Sequence, residues 1–248
     1  MGFVLRLKYL VPSAISLLSL WYAIQAMMAG SLIAGCWDLL KCVVLDKLDG
    51  TAARTLKATS HFGMKLDSIV DAVAFGLVPG VLIIQNRAHF GSEPWQFLAC
   101  ICGVVYIVGT FYRLYKFDKL ASNPNAPDCF IGIPSTLSAG IFASFGVAFG
   151  KGLGNHPEVG YLILALSIVL ALLMNGNFPT LKVGKPQSRV KMISQVLFFL
   201  FVTVAIVFQK LPQVLFGISL AVLYVSIYYG GKKFGRNRSR SNRGKTLS

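Results

Sequence analysis

Apolar runs of about 20 residues, the length a helix needs to cross a hydrocarbon core at 1.5 Å per residue, recur from one end of the chain to the other and are broken by glycine, proline and charge. The pattern predicts eight helices, at 9–30, 31–56, 63–84, 95–114, 131–150, 159–175, 192–209 and 213–229. No internal repeat is evident. The fold class expected is an all-α, polytopic membrane bundle of about eight spans.

The connections between these runs alternate in charge. One set carries Arg6 and Lys8; Arg54, Lys57 and Lys65; Arg113, Lys116 and Lys119; Lys182, Lys185, Arg189 and Lys191; and a basic tail from Lys232 to Lys245. The opposite set holds Arg87, Lys151 and Lys210. Because basic loops stay on the cytoplasmic side, both termini are expected in the cytoplasm, which agrees with an even number of spans. Arg6 and Lys8 before an apolar run also resemble the start of a signal peptide, but an uncleaved first span is the preferred reading. The chain then divides into a transmembrane domain over 1–230 and a tail over 231–248, for which a basic, low-complexity composition predicts disorder. The tail lacks interleaved aromatic residues for stacking bases, so no nucleic-acid partner is expected.

Composition sharpens this picture through its acids. The 248 residues include 24 Lys plus Arg against nine Asp plus Glu, a formal net charge of +15, so each acid is informative. The five cysteines form no CxxC pair and lie mostly in apolar stretches, and the three histidines are far apart, which leaves little support for a thiolate or histidine metal site. Four acids, Asp46, Asp49, Asp67 and Asp71, fall together in DKLDGTAARTLKATSHFGMKLDSIVD, the segment joining the second predicted span to the third.

At about 100° per helical residue, Asp46, Asp49, Gly50, Ala53 and Arg54 share an arc of roughly 140°. Asp67 and Asp71 sit at i and i+4 on the next helix, with Gly63 one turn earlier on the same side. If the two helices pack as an antiparallel hairpin, four carboxylates converge near the cytoplasmic boundary. Their mutual repulsion is relieved by raised proton affinity or by bound cations, and an all-oxygen cage suits Mg²⁺ or Mn²⁺, with Ca²⁺ also admissible. Two such ions can bridge a diphosphate and favour attack at phosphorus. Gly50 and Ala53 remove bulk from the same face, and Arg54 offers a planar fork for phosphate oxygens. A bland alternative has the acids pairing with Lys47, Arg54 and Lys65 to hold helices together; another, of a different functional class, makes them the path of a cation transporter. Neither explains the small residues placed beside the acids.

The spacing DxxDGxxAR(x)8GxxxDxxxD resembles the signature of the CDP-alcohol phosphatidyltransferases, with a match at Asp46, Asp49, Gly50, Ala53, Arg54, Gly63, Asp67 and Asp71. Within that family TSHFGMKLDSIVDAVAFGLVP is similar to the phosphatidylserine synthase branch, as are GTFYRLYKFDKL, FIGIPSTLSAG and, more weakly, FPTLKVGKP. The resemblance implies an inner-membrane enzyme, commonly a homodimer, with its site at the cytoplasmic face, that moves a phosphatidyl group from CDP-diacylglycerol to the hydroxyl of L-serine and releases CMP. It implies two divalent cations, Mg²⁺ or Mn²⁺, held by Asp46, Asp49, Asp67 and Asp71, with Asp71 also the general base. Gly50, Ala53, Arg54, Ser60 and Gly63 would contact CDP-diacylglycerol, and Arg113, Lys116 and Ser135 the acceptor or a phosphate.

The chain departs from the branch at Lys116 and Asp118, where a second Arg and an Asn are usual, and at Thr136, where Pro is common. Those changes bear on the acceptor, so glycerol 3-phosphate, an inositol phosphate or choline remain alternatives. In the first span Pro12 is followed by Ser13 where the family often has Asn, and no ligand contact is carried onto that position.

Overall fold

The computed structural model describes residues 2–56, 61–121, 130–153, 156–180 and 189–245, and these are mostly helical. Helices α1 (Gly2–Met28) and α2 (Leu32–Thr55) are joined by so short a link that they must run antiparallel, and they pack along each other. The first turn of α2 is tied down by the Leu32 N–H, which donates to Asn86 Oδ1 at 3.1 Å. Then come α3 (His61–Asp71), a π-helical stretch over Ala72–Leu77 and α4 (Val78–Gln85). The remaining helices are α5 (Glu93–Ala121), α6 (Ser135–Phe149), α7 (Pro157–Asn175), α8 (Arg189–Val207) and α9 (Pro212–Lys245).

Most of α6 is buried, and it packs against α2, α7 and α9. Its run of Ser138, Ala139, Gly140, Ala143, Ser144 and Gly146 allows such close approach, because small residues let helix backbones meet without bulky side chains between them. A Cβ at Gly146 would overlap the Cys36 sulfur, so the fully buried Cys36 packs directly against α6. Cys129 lies outside the described residues. Similarly α4 and α5 touch at Gly80 and Gly103: a Cβ on Gly80 would come within 2.6 Å of the Gly103 carbonyl oxygen.

The π stretch corrects the expectation of one uninterrupted helix over 63–84. Val78 N–H bonds to Val73 O, five residues back, and the physical reason is Pro79. Its ring would clash with the carbonyl four residues earlier, Phe75, and it has no N–H to give, so the preceding turn widens. The widening begins one residue after Asp71.

Among the described residues, five stretches are long and apolar enough to cross a membrane: Val11–Met28, Gly63–Gln85, Glu93–Phe117, Pro157–Asn175 and Pro212–Lys232; Val196–Val207 is apolar over a shorter length. The eight helical runs expected from the pattern all have counterparts, but α2 and α6 do not meet this standard among the described residues. Helix α2 carries Asp38, Lys41, Asp46, Lys47 and Asp49, and α6, with 15 residues, is about 22 Å long against a core of about 30 Å. Helix α9 runs on past its last apolar residues to Lys245, through a stretch that composition assigns to disorder; Lys and Arg propagate a helix readily once one is nucleated.

Candidate active site

Helices α2 and α3 carry the four acids, and α1 brings them together. Both helices pack against α1, whereas α2 meets the third rod beyond Asp71, at Ala72–Leu77 and α4. The expected hairpin of α2 on α3 is thus seated on α1, with the carboxylates of the two helices brought together. One ligand oxygen each from Asp46, Asp49 and Asp67 lies within 4.8 Å of the others. The Asp71 carboxyl hydrogen-bonds Asp46, so the fourth acid joins the same cluster.

Asp49 is the buried member, 4% exposed, and accepts a hydrogen bond from Ser16 Oγ at 2.9 Å. Asp46, Asp67 and Asp71 are half-buried. Among the described residues the ion pair formed within 4.0 Å is Lys41 with Asp38, and Lys47 and Lys65 are exposed. Close pairing of the cluster with Lys47 or Lys65 is thus not seen among the described residues; Arg54, the third basic residue of the bland alternative, has its side chain outside them. Three close carboxylates form a donor set of hard oxygens that fits a divalent cation. A Cβ added to Gly50 would meet nothing within 4 Å, so there is open space at that residue among the described residues. Ala53 and Gly63 are half-buried. Ser60 and the side chain of Arg54 lie outside the described part of the structure.

A family model for the CDP-alcohol phosphatidyltransferases matches residues 5–173, more than half of the chain and all four acids. The chain belongs to that family. This CDP-alcohol phosphatidyltransferase is similar to the CDP-diacylglycerol–serine O-phosphatidyltransferase of Helicobacter pylori, with 26% identity over 196 residues, 77% of this chain and 80% of the relative. It is also similar to the archaetidylserine synthase of Methanothermobacter thermautotrophicus, 27% identical over 165 residues, 64% of this chain and 66% of that one. A third relative, the CDP-diacylglycerol–serine O-phosphatidyltransferase of Methanocaldococcus jannaschii, is 30% identical over 137 residues, 55% of this chain and 59% of its own.

In this phosphatidyltransferase the three other sequence segments singled out above also converge. Arg113, 9% exposed on α5, donates from Nε to the Ile133 carbonyl at 2.8 Å and from Nη1 to Ser135 Oγ at 3.0 Å. Its charge also acts on Asp71, which links α5 to the acid cluster. Lys116 donates to Asn177 Oδ1 at 2.6 Å. Strands β1 (Phe130–Ile131) and β2 (Pro179–Thr180) pair antiparallel, Phe130 with Thr180 and Ile131 with Pro179, and Thr180 Oγ1 donates to the Gly132 carbonyl at 2.7 Å. Gly132 adopts φ +73°, and a Cβ there would collide with the Met174 carbonyl oxygen; only glycine fits this turn.

Ser16, Asn177 and Thr180 are not among the residues singled out from sequence. The signal for Ser16 was present, since Ser13, Ser16 and Ser19 recur at helical spacing on a span that is otherwise apolar. Asn177 and Thr180 flank or fall within FPTLKVGKP, but single-chain reading gives no hint that this segment pairs with FIGIPSTLSAG.

Proposed function

We propose that the chain transfers the phosphatidyl group of CDP-diacylglycerol to the hydroxyl of L-serine, giving phosphatidylserine and CMP. The observation that carries this reading is the convergence of Asp46, Asp49 and Asp67 within 4.8 Å on a chain of this family. The relatives' printed names support serine as the acceptor.

Asp46, Asp49, Asp67 and Asp71 would hold two divalent cations, Mg²⁺ or Mn²⁺, which supply charge neutralisation at the diphosphate. Asp71 accepts the proton of the serine hydroxyl as its oxygen attacks the phosphorus that bears diacylglycerol. Gly50, Ala53 and Gly63 leave room for the diphosphate to approach the helix, and Arg54 and Ser60 bind its cytidine and phosphate side. Arg113 and Ser135 shape the acceptor end: with its hydrogen bonds already directed at Ile133 O and Ser135 Oγ, the guanidinium presents one fixed positive charge to a carboxylate. Lys116, engaged by Asn177, supports the same wall. A phosphorylated acceptor calls for additional basic groups, for which Lys182, Lys185, Arg189 and Lys191 are the sequence's candidates; the names of the relatives favour serine.

The reading places residues 1–230 in the inner membrane as about eight spans, with both termini and the acid cluster at the cytoplasmic face, the basic tail beyond 230 near anionic headgroups, and the enzyme as a homodimer. Purified protein supplied with CDP-diacylglycerol and Mg²⁺ or Mn²⁺ should release CMP with serine. Release with glycerol 3-phosphate and none with serine would move the acceptor assignment.

A further inference from the structure

Ser16 stands outside the family signature, on a different helix from every acid, and 33 residues in sequence from the one it touches. It is 4% exposed, and a buried hydroxyl on an apolar helix is costly unless hydrogen-bonded. Its single proton has two acceptors in reach, the Pro12 carbonyl at 3.1 Å and Asp49 Oδ2 at 2.9 Å. The carboxylate is the nearer, and charge-assisted bonds are about twice as strong as neutral ones. Asp49 in turn is the buried acid of the cluster. A carboxylate offers about four lone-pair sites; with the Gly50 backbone N–H as a local donor, the bond from Ser16 is the one that ties the group to another helix, and further sites are left for a cation.

The fold places α1 where such a bond can come from it: α2 and α3 both pack against α1, so a hydroxyl on α1 reaches an acid of the cluster. We propose that Ser16 is a positioning residue for the cation site: its hydroxyl holds Asp49 in the orientation that completes the oxygen cage. The inference rests on the reading of the acid cluster as a divalent-cation site. It concerns how tightly that site binds, since partners that orient metal-ligating carboxylates typically contribute 10-fold to 100-fold in affinity.

Ser19, three residues on in the same helix, is the natural control: it is 2% exposed, and it bonds Cys42, whose Sγ donates to the Ser19 carbonyl oxygen at 3.3 Å. The experiment measures Mn²⁺ binding to the purified full chain in detergent by the electron paramagnetic resonance signal of free Mn²⁺, without lipid substrate or serine, together with thermal unfolding in the absence of metal. Ser16→Ala should weaken Mn²⁺ binding at least about 10-fold, Ser16→Thr should bind within about twofold of the parent because its hydroxyl is retained, and Ser19→Ala should bind as the parent does. Unchanged binding by Ser16→Ala overturns the proposal, as does equal weakening in Ser16→Ala and Ser19→Ala, which would mark a packing effect. Absence of saturable Mn²⁺ binding in the parent chain overturns the cation site itself, and the role of Ser16 with it.

Discussion

Replacing Arg113 with methionine removes the group that ties α5 to the start of α6, while keeping a side chain of similar length. The guanidinium supplies donors to the Ile133 carbonyl at 2.8 Å and to Ser135 Oγ at 3.0 Å. Ile133 is fully buried and Ser135 is 3% exposed, so neither acceptor can turn to water instead. Leaving a buried polar group unsatisfied costs about 1–3 kcal/mol, so two of them cost about 2–6 kcal/mol. For a chain of this length about 2–4 °C of melting temperature goes with each kcal/mol, and the variant should unfold at least about 4 °C below the parent in detergent. Arg113→Lys keeps the charge but is a point donor that cannot span both acceptors in the fork geometry of arginine, so it should fall between the two. The same variants separate structure from recognition in the CMP-release assay. If the charge meets the acceptor carboxylate, Arg113→Met raises the apparent KM for serine by more than the KM for CDP-diacylglycerol, and Arg113→Lys recovers part of it. A melting temperature and both KM values unchanged in Arg113→Met would refute the reasoning.

Other expectations follow from single residues. Gly50→Ala should fold as well as the parent or better, since its Cβ meets nothing within 4 Å and alanine gains about 0.5–1 kcal/mol over glycine within a helix. It should nevertheless raise the KM for CDP-diacylglycerol several-fold; an unchanged KM would place the diphosphate elsewhere. Asp71→Asn should lose about 10³-fold or more in turnover while still binding CMP in the presence of Mn²⁺, and retained turnover would remove the base role. Gly132→Ala should lower the melting temperature through the strained φ of +73° and the collision with Met174 O, with the loss read by the same unfolding assay.

How far this structure is legible in its sequence differs from element to element. The apolar runs locate all eight expected helices, because long apolar stretches broken by glycine, proline and charge are read from composition alone, although α2 and α6 fall short of a hydrocarbon-length span. The acids of α2 and α3 are legible because helical periodicity places Asp46, Asp49 and Gly50 on one face and Asp67 and Asp71 on another. What periodicity cannot supply is the partner of each face. The sequence suggests α2 against α3, whereas α1 stands behind both, and Ser16 becomes visible only when that arrangement is known. The π stretch is a second instance: Pro79 marks a disturbance, but the choice between a kink and a widened turn depends on what packs around Ala74, Phe75 and Gly76, all buried. The pairing of Phe130–Ile131 with Pro179–Thr180 spans most of two helices in between, and short strands of two residues carry no alternation to read.

The dependence of CMP release on both metal and acceptor tests the central claim most directly. The purified full chain, stripped of divalent ions with EDTA and given CDP-diacylglycerol, is assayed for CMP and for lipid mass after addition of Mg²⁺ or Mn²⁺ with serine, glycerol 3-phosphate, an inositol phosphate or choline. The expected result is CMP release and a lipid of phosphatidylserine mass only when serine and the metal are both present, with neither in Asp46→Asn or Asp67→Asn. Metal-independent release of CMP, or full activity in those variants, would contradict a carboxylate-held cation site as the seat of the reaction.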